Sequence, residues 1–200
     1  MKNDKIPAVT RRSFLKKSTS AALGTVFAPY ISGCNIDVAQ PMVRQLGRIG
    51  FEATTFALGG QASLQWTPDD VDPVKIILKA FDLGINYYDT SNLYGPSQLN
   101  FGKAFRELDL IPGTGYNESL RKSIFLTTKT HIRWGKGMPE IEGVSNWSNG
   151  GMAEGAVGDI KRSLSQMFGD GEGNYPKGAY LDMVLTHNLN TMAEVDALYT

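Results

Sequence analysis

The chain has 200 residues, 42% of them hydrophobic and 20% charged, which suits one ordinary globular domain with its own core and excludes a disordered or fibrous composition. Formal charge sums to zero but is unevenly placed: six Lys/Arg face one acid before Cys34, and 14 basic residues face 19 acidic ones from Cys34 onward. An acidic body argues against nucleic acid as a partner, and a single cysteine excludes an internal disulfide.

Near the start, Thr10-Arg-Arg-Ser-Phe-Leu-Lys-Lys17 precedes an apolar run of mostly small residues from Ser18 to Ser32. A basic region followed by a short apolar one is the layout of an export signal. The pair Arg11-Arg12, followed by Phe14, Leu15 and Lys16, resembles the twin-arginine signal. The run is too short and too rich in Gly, Ser and Pro for a spanning helix of about 20 residues. A plainer alternative is a disordered basic tail ahead of an amphipathic helix. Ile31-Ser-Gly-Cys34 resembles a lipobox, which implies lipidation at Cys34, although a lone cysteine can also be a small buried hydrophobe. Residues 1–34 are therefore expected to be a leader handled by the twin-arginine translocation machinery. The protein would then be periplasmic, or a membrane-anchored lipoprotein facing the periplasm. That signal implies a bacterial-type cell, so the glycosylation patterns at Asn117 and Asn146 are discounted.

Residues 35–45 read as a linker. Gly47-Arg-Ile-Gly50 between two short runs signals a β-hairpin, and Phe56-Ala-Leu-Gly-Gly60 reads as a buried strand ending in a flexible turn. Asp72 and Pro73 supply a helix cap and a first-turn proline. Val74, Ile77, Leu78 and Phe81 then form one apolar face, and Gly84 stops the helix. In Gly84-Ile-Asn-Tyr-Tyr-Asp-Thr-Ser-Asn-Leu-Tyr-Gly95 a short strand closes on Asp89 and enters a polar loop holding Tyr94. A second helix, about Ser97 to Leu108, turns Phe101, Ala104, Phe105 and Leu108 to one side. Ile124-Phe-Leu-Thr-Thr-Lys129 is a strand ending on a lysine. The stretch from Ile132 to Gly150 is long for a strand-to-helix loop and is expected to lie over the mouth of a site, where Trp134 and Trp147 either line a substrate pocket or simply pack the loop down. A third helix, about Gly151 to Phe168, presents Val157, Ile160, Leu164 and Met167. Gly169 to Asn174 lacks the acid spacing of a calcium loop and reads as a plain connection. Tyr180-Leu-Asp-Met-Val-Leu-Thr-His187 is a strand ending on a histidine. Strands near 56, 85, 124 and 181, alternating with helices, mean βαβ units and a parallel sheet. No Gly-x-Gly-x-x-Gly follows a strand, so a Rossmann nucleotide site is not supported.

Three successive strands thus finish on titratable side chains, and in a parallel α/β barrel the carboxyl ends of the strands share one face. The residues Asp89, Tyr94, Lys129 and His187, in that order, resemble the tetrad of the aldo-keto reductase family. Asp-Thr-Ser-Asn-Leu-Tyr-Gly is the most specific part of the resemblance. A tryptophan often follows the family's histidine, and Asn188 stands there instead. From about Leu46 onward the resemblance implies an α/β fold, a (β/α)8 TIM barrel with a hairpin plugging its floor. It implies NADPH (or NADH) as cofactor, and an aldehyde or ketone, sugars included, as substrate. Gly60, Gln61 and Asp89 would touch the cofactor, Trp66, Trp134 and Asn188 the substrate, and no metal is implied. A twin-arginine route carries folded proteins, which suits an enzyme that takes up its nucleotide before export.

The tetrad chemistry follows from what carbonyl reduction needs. Hydride addition builds negative charge on oxygen, so a proton donor must face that atom, and Tyr94 takes this role. A free phenol, with a pKa of about 10, is a weak acid at neutral pH, and a neighbouring cation favours its ionised form. Lys129 supplies the cation, Asp89 holds the ammonium, and a neutral His187 donates one hydrogen bond to orient the carbonyl. Singly, the four could be a turn cap, a packed aromatic, a solvated strand end and a satisfied polar group.

A complete barrel of this kind takes about 250 residues and eight strands. Four strands are recognisable here, so the chain reads as the first half of a barrel, its last segment opening a fourth helix at Thr191. The resemblance implies that later strands form much of the nucleotide pocket. Alone, the 200 residues are expected to associate through open strand edges and not to turn over carbonyls. The competing expectation is a non-catalytic, nucleotide-sensing or regulatory barrel subunit anchored at the membrane.

Overall fold

The computed structural model describes residues 40–130, 155–187, 189 and 192–196. The expected leader, Cys34, the loop holding Trp134 and Trp147, and Asn188 lie outside them.

A two-stranded antiparallel hairpin comes first, β1 (Val43–Gln45) with β2 (Glu52–Thr54), registered Val43 to Thr54 and Gln45 to Glu52. Gly47 and Gly50, at φ 55° and 74°, occupy the left-handed backbone region that makes the reversal possible. β1 therefore lies inside the stretch expected to be linker. The hairpin is fastened by Asn86: Thr54 N donates to Asn86 Oδ1 at 2.7 Å, and Asn86 Nδ2 donates to Glu52 O at 2.8 Å.

Asn86 immediately precedes a strand of the main sheet. That sheet has the order β3-β4-β5-β6, all parallel: β3 (Leu58–Gly59), β4 (Tyr87–Asp89), β5 (Phe125–Thr130) and β6 (Met183–Thr186). The hairpin thus packs at the amino-terminal ends of the strands, where Phe51 also meets Phe125 at a ring distance of 5.3 Å. The helices are α1 (Pro73–Asp82), α2 (Ser97–Glu107), α3 (Glu118–Lys122), α4 (Gly155–Phe168) and α5 (Met192–Asp196).

Alternate strand residues point to opposite faces. The face carrying Tyr88, Leu126 and Thr128 is buried; Tyr88 stacks on Phe81 of α1 at 4.6 Å and meets Phe101 of α2 edge-on at 6.0 Å. α1 begins as expected, with Val74 N donating to the Asp72 side chain at 2.9 Å and Pro73 in the first turn. Burial lifts the Tyr88 phenol well above its ordinary pKa, and its hydroxyl donates to Ile85 O at 2.5 Å.

Three expectations need correction. Phe56 and Ala57 are exposed, and the first strand is only Leu58–Gly59. It is an edge of the sheet, so one of its sides has no strand to bury it among the described residues. Val157 is 65% exposed and Ile160 half-buried, although Leu164 and Met167 do face inward. Their places are taken by buried polar groups hydrogen-bonded across elements: Gln98 Nε2 donates to Thr128 Oγ1 and to Ser163 Oγ, both at 2.8 Å, and Thr130 Oγ1 donates to Asp159 Oδ2 at 3.0 Å. Third, α3 was not foreseen at all. Asn117, which reads as a glycosylation pattern, is its N-cap, accepting from Leu120 N at 3.0 Å.

Candidate active site

Register decides which side chains share the inner face. Asp89 pairs with Thr127 and Lys129 with Leu185, so Asp89, Lys129 and His187 fall on the same alternate positions of three neighbouring strands. The ladder continues past β6 when His187 N donates to Thr130 O at 2.8 Å, which sets the imidazole one step beyond Lys129. Tyr94 arrives by a turn. Its backbone N donates to Ser91 O at 3.1 Å, and Ser97 N, opening α2, donates to Tyr94 O at 2.9 Å. Gly95, at φ 47°, permits the bend that returns the phenol over the strand ends.

The four residues meet. Lys129 Nζ forms an ion pair with Asp89 Oδ1 and donates to Thr90 O at 2.9 Å. The same ammonium lies 4.7 Å from the centre of the Tyr94 ring. Lys129 thus reaches Tyr94 over its face, where the ring quadrupole attracts a cation. Tyr94 Oη lies 3.4 Å from His187 Nε2, the two rings standing edge to face at 5.6 Å and 85°. Tyr94 is 7% exposed, whereas the Asp89 side chain keeps 28%. Burial, reinforced by the positive charge of Lys129 and only partly offset by Asp89, holds the His187 pKa below its ordinary value. His187 is therefore neutral near pH 7 and carries its proton on one ring nitrogen only.

Gly60 is buried against the same assembly. Its N donates to Asp89 O at 2.6 Å, and a Cβ there would run into Ser97 Oγ and come within 2.8 Å of Thr90 Oγ1. Its place lies behind the loop that carries Asp89, while Gln61 and Trp66 are exposed on the connection that follows β3. Sequence reasoning missed the Thr90 carbonyl as the second anchor of Lys129 and missed Ser91, whose Oγ lies 3.5 Å from His187 Nδ1. Carbonyl anchors leave no trace in residue identity. Ser91, however, stood inside the quoted motif. Asp170 closes the α4–β6 connection by accepting Asn174 Nδ2 at 2.6 Å and Glu172 N at 2.7 Å, which lowers its pKa to about 2. Its oxygens serve the turn. Among the described residues no cluster of three His, Cys, Asp or Glu could hold a metal, and no helix is long and apolar enough to cross a membrane.

A phenol flanked by a cation and a neutral imidazole can place two hydrogen-bond donors on one oxygen atom. Comparison with known proteins adds to this geometry. The model of the Aldo/keto reductase family matches residues 55–196. A Schizosaccharomyces pombe protein described as "Putative voltage-gated potassium channel subunit beta" is 37% identical over 105 residues, covering 51% of this chain and 28% of that protein. Two solved structures, each described as a putative aldo-keto reductase from Pseudomonas aeruginosa, superpose with a TM-score of 0.50. They are 22% and 23% identical and cover 82% and 80% of this chain. The chain spans about half the length of those structures, 53% and 52%, and less of the curated relative. The shared architecture is the parallel βα arrangement of a TIM barrel, represented among the described residues by four parallel strands and a hairpin.

Proposed function

The chain belongs to the aldo/keto reductase family, and from that premise we propose that it serves NAD(P)H-dependent reduction of an aldehyde or ketone, a sugar being one such carbonyl. The observation that carries the reading is the convergence of Asp89, Lys129 and His187 at the ends of three parallel strands with Tyr94 on the loop that follows the first. The donor set fits a reduced nicotinamide partner: two X–H groups converge where an oxygen would gain charge. When bound, that cofactor supplies a hydride to the carbonyl carbon. His187 donates one hydrogen bond to the carbonyl oxygen and fixes its direction. As the carbon–oxygen π electrons move onto oxygen, the Tyr94 O–H bond breaks and its proton completes the alcohol. Lys129 stabilises the phenolate left behind, and Asp89 with Thr90 O keeps the ammonium in place. Gly60 supports that loop from behind, and the exposed Gln61 and Trp66 lie on the connection where a nucleotide or substrate could be met.

The test uses the protein isolated from its own cells. NADPH absorbance is followed with a panel of aldehydes, ketones and sugars, and NADPH fluorescence reports binding. Oxidation that depends on the carbonyl is expected. Absence of both nucleotide binding and carbonyl-dependent oxidation would overturn the reading.

A second reading is favoured by the similarity to the channel subunit: a barrel that binds nucleotide and regulates a membrane partner without turnover. Nucleotide binding with no reduction of any carbonyl would select it. We further propose, on sequence grounds alone, that Arg11 and Arg12 direct twin-arginine export and that Cys34 carries a lipid tether in the periplasm.

A further inference from the structure

Ser91 is wholly buried two residues after the strand that ends in Asp89, and the chemistry above leaves it unused. Three groups surround its Oγ: Leu93 N at 3.2 Å, the Asn92 side-chain amide at 3.4 Å and His187 Nδ1 at 3.5 Å. Its burial leaves no approach for a substrate, so it is not a nucleophile. Its three neighbours instead restrict where its single hydrogen can point.

The Leu93 amide can only donate, so it takes one lone pair of Oγ. Asn92 is 2% exposed, and with Oδ1 turned toward Ser91 its Nδ2 is a buried donor with no partner. A buried donor left unsatisfied costs about 1–3 kcal/mol, and an amide rotates by half a turn without changing shape. That rotation turns Nδ2 onto Ser91 Oγ and leaves Oδ1, an acceptor, in the place without a partner, a less costly vacancy than an orphaned N–H. Both lone pairs of the hydroxyl are then occupied, and its hydrogen has His187 Nδ1 as its acceptor.

We propose that Ser91 is a positioning residue that holds His187 in the tautomer with the proton on Nε2. This rests on the carbonyl-reduction reading, because only Nε2–H, on the side of Tyr94 Oη, can donate to a carbonyl oxygen there. The opposite tautomer presents a lone pair and repels that oxygen. Ser91 acts through His187 and touches no reacting atom.

The tautomer is read directly by 15N NMR of the full chain with labelled histidine, in solution or in the solid state, at neutral pH. The chain has two histidines, and a His131→Gln variant assigns them. The wild type is expected to show a bare Nδ1 and a protonated Nε2. Ser91→Ala, which removes one small buried atom, is expected to shift the population toward Nδ1–H. In the same variant kcat falls about tenfold, the scale of one lost hydrogen bond, with nucleotide affinity unchanged. A wild type already protonated on Nδ1, or a tautomer ratio identical in Ser91→Ala, overturns the proposal. The spectrum needs no substrate, so a protein that holds the Nε2–H tautomer yet reduces no carbonyl defeats the functional reading and leaves the hydrogen bond standing.

Discussion

Replacing Asp182 by alanine should cost this fold more than changing a residue of the site itself. Asp182 starts the approach to β6: its backbone N donates to Leu126 O at 3.0 Å, and its Oδ2 accepts from Leu126 N at 2.9 Å. The same oxygen pairs with Arg121 Nη2 at 2.9 Å. That guanidinium is 1% exposed, donates also to Tyr180 O at 2.8 Å and lies 3.8 Å from the Tyr180 ring centre. Removing the carboxylate leaves a buried cation without its counter-ion and a β5 amide without its acceptor. Breaking such a pair costs about 3–5 kcal/mol. Asp182 retains 18% exposure, which lets some water in, so the lower end, about 3 kcal/mol, applies. With a urea slope of about 2 kcal/mol per molar, the midpoint should fall by about 1.5 M. Equilibrium unfolding followed by circular dichroism measures it, and the singles Arg121→Met and Asp182→Leu with their combination form a double-mutant cycle around the same pair. The double variant should recover most of the loss, because the pair then disappears together. A midpoint shift below about 0.5 M, or single-variant losses that simply add, would refute the reasoning.

Gly60→Ala should destabilise by about 1–3 kcal/mol, since its Cβ collides with Ser97 and Thr90 and nothing there can swing aside freely; thermal unfolding no lower than wild type would contradict the close packing. The lowered His187 pKa means the unfolded chain takes up a proton first on acidification. Its contribution to stability is therefore complete above the unfolded value of about 6.5 and is lost as pH falls toward the folded pKa. Lys129→Met, which removes the second cause of that shift, should raise the His187 midpoint in an NMR titration, and an unmoved midpoint would leave burial as the only cause. Changing Arg11 and Arg12 together to Lys should block export, and Cys34→Ala should release the protein from membranes without unfolding it. Soluble protein in unaltered cells would exclude the lipid tether.

What the sequence made legible was whatever depends on local pattern. The caps at Asp72 and Pro73, the hairpin glycines and the apolar faces of α1 and α2 are decided within a few residues, and each stands where the pattern put it. The strand ends carrying Asp89, Lys129 and His187 were legible because a strand's direction and its last residue are local, and parallel pairing does the rest. The failures share a cause. Phe56 looks like core, yet it precedes a strand that begins only at Leu58 and lies at an edge of the sheet among the described residues, and edges are a property of the whole sheet. On α4 the inward positions are Asp159 and Ser163, which an apolar pattern must reject. They are tolerated because Thr130, Gln98 and Thr128 hydrogen-bond them across elements far apart in sequence. Ser91 escaped for the same reason, since its significance depends on His187, which lies 96 residues away.

The most direct test of the central claim is the turnover of Tyr94→Phe. The substitution removes only the hydroxyl at 3.4 Å from His187 Nε2 and leaves the ring over the Lys129 ammonium. Loss of a positioned general acid should lower carbonyl-dependent NADPH oxidation by about 100- to 10,000-fold, with the fluorescence-determined nucleotide affinity unchanged. Turnover within a few-fold of wild type would show that Tyr94 is not the proton donor and that the four residues are assembled for something else.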